Sequence, residues 1–87
     1  MKTAVLLVLM AATPAQALEP PPCVAARAKA VTGKEATPAR IKLAQKKSGA
    51  HLVRVIRPGQ AVTMDYRLER LNVHVNARKR ITRLTCG

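Results

Sequence analysis

Apolar residues are laid out differently in successive stretches of the chain, and each layout predicts an element. Ala4 to Ala12 is an almost unbroken apolar run behind Lys2 and ahead of the small-x-small triplet Ala15-Gln16-Ala17. That is the pattern of a secretory signal, with cleavage predicted after Ala17 and a mature chain over residues 18–87. The run falls short of the roughly 20 apolar residues that span a bilayer; an uncleaved anchor or interfacial helix is the alternative. A lipid anchor at Cys23 is rejected, because Pro20-Pro21-Pro22 stands where a lipidation site needs small and aliphatic residues. Residues 18–22 read as an extended lead-in, since each proline fixes its own backbone angle and removes a donor.

Cys23 to Val31 is Ala-rich with interspersed cations, enough for a helical turn or two before Gly33 interrupts it. The main helix is predicted next, with Thr37 as N-cap and Pro38 at the first helical position. Ile41 and Ala44 form an i, i+3 pair, and Lys46 and Lys47 occupy the last turn ahead of the Ser48-Gly49 stop. The apolar stripe is thin, so packing against a sheet must hold this helix. Leu52 to Arg57 is β-branched and reads as a largely buried strand, ended by Pro58-Gly59. Leu71, Val73 and Val75 alternate with Asn72 and His74, which predicts a second strand with one apolar face. Asn76 to Lys79 is a turn, and Ile81 to Cys86 a final strand. Between Pro58 and Arg70 lies a segment with no helical period, and loops this long in small domains usually carry function.

Two cysteines, Cys23 and Cys86, stand near opposite ends of the mature chain. An exported protein meets an oxidising compartment, so a disulfide between them is expected, with free or intermolecular thiols as the alternative. A single domain of this size needs such a staple, because its apolar core contributes only a few kcal/mol. Location in the periplasm or outside the cell follows from the same signal.

The formal net charge of +12 points toward anionic partners: nucleic acid, a membrane surface or an acidic protein. Aromatic content of 1% argues against sequence reading of nucleic acid, since Tyr66 alone cannot build a base-stacking platform. The cations are scattered, and a solvated positive surface with weak polyanion attraction is the plainer reading. Binding to a polyanion or membrane surface stands as the rival function. Enzymatic chemistry is not expected: there is no Ser-His-Asp constellation, metal cluster or phosphate-cradling glycine loop, and only four carboxylates are present. His51 and His74 lack metal-ligand spacing with the cysteines, so no cofactor or metal is expected.

The long loop is the chemistry that remains. In GQAVTMDYRLERLNV, β-branched Val62 and Thr63 favour extended backbone. Met64 is an unbranched apolar side chain suited to filling a pocket on another protein. Asp65 follows it, with Arg67 and Arg70 near enough in sequence to fold back onto the carboxylate, where a guanidinium fork fixes its orientation. An extended, exposed and braced peptide is what a protease accepts as substrate.

VTMDYRLERLNV resembles the binding loop of the potato inhibitor I group, and VTGKEATPARIKLAQKKSGAHLVRVIRPG resembles the helix and strand that precede it there. The paired cysteines, the RPG turn, the RLNV strand and Cys86-Gly87 are more similar to the elastase-inhibitor-like peptidase inhibitors of bacteria and fungi. The resemblance spans Cys23 to Gly87. It implies an α+β fold: one main helix on a small mixed sheet, with a long exposed loop and one disulfide. It further implies a monomeric serine protease inhibitor directed at chymotrypsin-, elastase- or subtilisin-like enzymes. Met64–Asp65 would be the reactive-site bond, Val62 and Thr63 would contact the enzyme on the acyl side, and Tyr66 and Arg67 on the leaving side. Two arginines of the following strand hold the loop in the potato inhibitor I group. One position matches Arg70; the other is Asn72, which carries no charge and leaves half of the bracing unaccounted for.

Overall fold

The computed structural model describes residues 21–87. The signal expected over 1–17 and residues 18–20 of the lead-in lie outside the described residues. A 3-10 helix over Ala25–Val31 is followed by helix α1, Pro38–Ser48, and by strands β1 (Leu52–Ile56), β2 (Arg70–Val75) and β3 (Ile81–Cys86). The predicted caps form: the Thr37 hydroxyl accepts from the Arg40 main-chain N–H at 3.1 Å. Gly49 closes α1 in the left-handed region at φ 79°, a conformation that costs a glycine least.

The three strands form a mixed sheet in the order β1-β2-β3. β2 runs parallel to β1, with Arg54 opposite Asn72, and antiparallel to β3, with His74 opposite Arg83. Parallel neighbours cannot be joined by a tight turn; the chain must travel back along the sheet before the second strand begins. Residues 57–69 make that return without a helix, which is why the segment is long.

On one face of β2, Leu71, Val73 and Val75 are buried against Ala28, Val31 and Ala44 of the two helices. Ile81 and Leu84 of β3 join the same layer although they are three residues apart, because the ladder shifts register between His74 and Val75. The irregularity moves Thr82 out of the pairing and returns Leu84 to the core side. Within α1 only Ala44 and Ser48 are fully buried, and Leu43 is exposed. β1 corrects the sequence expectation of a largely buried strand. It is the sheet edge, with Leu52 exposed and Val53 to Val55 half-buried, since it has a partner on one side only. Its β-branched composition reflects the sheet, not depth.

Cys23 and Cys86 are joined, with their Cα atoms 5.9 Å apart and a sequence separation of 63. A loop of that length corresponds to about 4 kcal/mol in the chain-entropy treatment. The bond fastens the end of β3 to the start of the 3-10 helix.

Candidate functional site

The face of β2 away from the helices is polar, and it is here that the loop is held. Arg70 and Asn72 are 8% and 6% exposed, so their polar groups need partners within the protein. Arg70 finds them on two sides. Its Nη2 donates to the Asp65 carbonyl oxygen at 2.7 Å and its Nη1 to Asp65 Oδ2 at 3.4 Å. Its Nε and Nη2 also donate to the Gly87 main-chain oxygen at 3.3 and 3.2 Å. Asn72 Nδ2 donates to that same oxygen at 2.8 Å, while the Gly87 N–H donates to the Arg70 carbonyl at 3.0 Å. Gly87, next to the disulfide, thus carries the arginine that reaches the loop.

The residue before Met64 is held from the other strand. Arg54 of β1 donates from Nε to Asn72 Oδ1 at 3.2 Å and from Nη1 to Thr63 Oγ1 at 3.2 Å. The Thr63 hydroxyl donates to Asp65 Oδ1. That hydroxyl, then Asp65's own main-chain N–H, then the Arg70 guanidinium hold the Asp65 carboxyl below its ordinary value. Asp65 is therefore an anion in the folded state at neutral pH. Between the two anchored residues Met64 is 90% exposed, and Tyr66 is 86% exposed on the far side of Asp65. Met64 is not core material.

Residues 23–87 match the family described as the peptidase inhibitor I78 family. The chain belongs to the peptidase inhibitor I78 family. That makes it an inhibitor and not an enzyme. A solved structure of the elastase inhibitor AFUEI is similar to this I78 chain, at 30% identity and a TM-score of 0.56, over 66% of this chain and 78% of that one. The comparison with curated proteins gave no match.

Around the I78 loop, the other expected site residues fall into two groups. Thr63, Asp65, Arg70 and Asn72 are joined in the network just described. Val62, Met64, Tyr66 and Arg67 are left at the surface. Arg67 does not fold back onto Asp65: it faces Glu69 at 3.8 Å, and both are solvated. Arg54 is the residue that sequence reasoning missed. Its signal was a lone cation at the centre of LVRVIR, where Leu52, Arg54 and Ile56 share a face. Asn72 does not touch the loop itself; it orients Arg54, which supplies the second guanidinium from the neighbouring strand.

Beneath the loop a cleft of about 350 Å³ separates residues 62–66 from the sheet, floored by Arg54, Asn72, His74 and Arg83. His74 Nε2 lies 3.1 Å from Thr85 Oγ1, and Arg83 Nη2 lies 3.5 Å from His74 Nδ1. Burial, then the charges of Arg83 and Arg54, hold the His74 imidazole below its ordinary value. Among the described residues no group of three or more His, Cys, Asp or Glu side chains is placed to hold a metal ion.

Proposed function

We propose that this chain inhibits serine proteases of the chymotrypsin, elastase or subtilisin type by offering Met64–Asp65 as a substrate-like reactive bond. One observation carries the reading: Met64 is 90% exposed while the residues on either side of it are hydrogen-bonded to the scaffold. Met64 would enter the primary specificity pocket, with Val62 and Thr63 on the acyl side and Tyr66 and Arg67 on the leaving side. A loop crossing between parallel strands with guanidinium groups behind it supports the resemblance to the potato inhibitor I group. Similarity to an elastase inhibitor supports a target with an apolar pocket.

Inhibition then follows from order that exists before binding. A free peptide loses about 0.5–1.5 kcal/mol per side chain immobilised in a complex, and a tethered loop has lost most of that already. Should the protease cleave, Arg70 still holds the Asp65 carbonyl, so the new amine stays beside the acyl-enzyme. High effective molarity there favours religation over attack by water.

The disulfide supports export to the periplasm or the outside of the cell, in keeping with a signal over residues 1–17. The protein acts as a monomer in this reading. Arg54 and Arg83 face no carboxylate among the described residues, which favours a weak, salt-sensitive attraction for polyanions as a secondary property. Titration against a panel of serine proteases, with and without reductant, tests the proposal. Equal inhibition of a subtilisin-like enzyme by wild type and Met64→Gly eliminates the loop assignment.

A further inference from the structure

The chemistry of this domain leaves one group open to two-electron oxidation, and it sits at the tip of the loop. The chain holds three methionines, Met1, Met10 and Met64, and the first two fall in the segment read as a cleaved signal. No free thiol competes, because both cysteines are in the disulfide. The Met64 thioether is 90% exposed. Neither the core nor the tether network uses it: the hydrogen bonds on either side end on Thr63 and Asp65.

We propose that Met64 is an oxidant-sensitive modification site through which inhibition is switched off. The proposal rests on the reading of Met64 as the pocket-filling residue. The oxidant is a peroxide such as hydrogen peroxide. The thioether sulfur attacks one peroxide oxygen and the O–O bond breaks. A sulfur–oxygen bond forms, and the second oxygen leaves as water with the two protons. Sulfur loses two electrons and the peroxide gains them. The product sulfoxide is polar and bulkier, and a sulfoxide oxygen pushed into an apolar pocket without a donor is penalised. Met64 lies outside the core, so the fold is indifferent to the change. Methionine sulfoxide reductases reverse it, one enzyme for each epimer.

The test oxidises purified, disulfide-intact protein with hydrogen peroxide and confirms by peptide mapping that one oxygen has been added at Met64. Inhibition of a subtilisin- or elastase-like protease is then expected to weaken at least ~10-fold. The thermal midpoint should stay in place, and treatment with both reductases should restore inhibition. Met64→Leu, whatever its own starting constant, should not respond to peroxide. If oxidised wild type inhibits as well as untreated protein while Met64→Gly is weak, the switch is overturned and the reactive-site reading survives. If Met64→Gly also inhibits normally, both fall together. Loss of inhibition by Met64→Leu after peroxide puts the lesion elsewhere and overturns the proposal.

Discussion

Arg70 Nη2 lies 2.7 Å from the Asp65 carbonyl oxygen, so a buried arginine grips the main chain one residue past Met64. That contact tethers the loop more directly than the ion pair between the two side chains, which is longer at 3.4 Å and half exposed at Asp65. Arg70→Ala is expected to weaken inhibition ~10- to 100-fold, as for loss of a hydrogen bond to a charged group, and to speed cleavage of the loop. Inhibition constants and electrophoresis of incubated complexes check both. Unchanged inhibition without faster nicking would remove Arg70 from the mechanism.

Arg54 holds Thr63 on the other side of Met64, with its guanidinium kept in place by Asn72. Arg54→Ala should weaken inhibition by ~3- to 10-fold, less than Arg70→Ala, because its contact with the loop is a single exposed hydrogen bond. Asn72→Ala should have a similar effect through Arg54, together with a stability cost from the half-buried Gly87 oxygen losing a donor. In an Arg54→Ala, Arg70→Ala double variant, losses that add independently would show that the two tethers are separate, and the shared Asn72–Gly87 connection predicts that they do not.

Reduction should impair the site as well as the fold. The disulfide adjoins Gly87, whose oxygen accepts from Arg70 and Asn72. A Cys23→Ser, Cys86→Ser variant is expected to lose about 2–5 kcal/mol of stability. At temperatures where it remains folded, it should also be cleaved faster than wild type. Folded variant that resists proteolysis as well as wild type would confine the disulfide to a stability role.

The Asp65 pKa is depressed in the folded state, so its contribution is fully present above the ordinary 3.8 and is lost only as pH falls through the lowered folded value. Tethering by Asp65 is therefore expected to persist to acid pH. His74 is also depressed: between its folded value and the ordinary 6.5 the unfolded chain binds the extra proton. Stability should decline as pH drops through that window, because the unfolded chain gains a proton that burial, and then the charges of Arg83 and Arg54, keep off the folded imidazole. Denaturation curves from pH 8 to pH 4 for wild type and His74→Gln check this. A decline of equal size in both proteins would assign it to other groups.

Met64→Lys should move inhibition toward trypsin-like enzymes, whose pocket carries a buried carboxylate, and away from chymotrypsin-like ones. Inhibition constants against one enzyme of each type are sufficient.

The sequence was most legible where local chemistry decides the outcome. Thr37-Pro38 and Gly49 set the ends of α1, and Leu71, Val73 and Val75 announce their face by alternation. It was least legible where the answer depends on a neighbour distant in the chain. β1 looked buried because valine and isoleucine mark sheets without saying which strand is at the edge. Arg54 was overlooked because its reach to Thr63 and Asn72 exists only once β1 and β2 lie parallel. Arg67 looked available to Asp65 by proximity in sequence, yet it faces Glu69. The irregularity at Thr82 breaks the strict alternation that would have put Leu84 on the wrong side.

The parallel pairing of β1 and β2 sets a rule for redesign. The span that must be crossed is the length of a strand, and no helix is present to take up slack. The Met64 side chain at the apex is free to be exchanged, while deleting residues would pull the two strands out of register. Retargeting this scaffold is therefore a matter of spelling and not of word length.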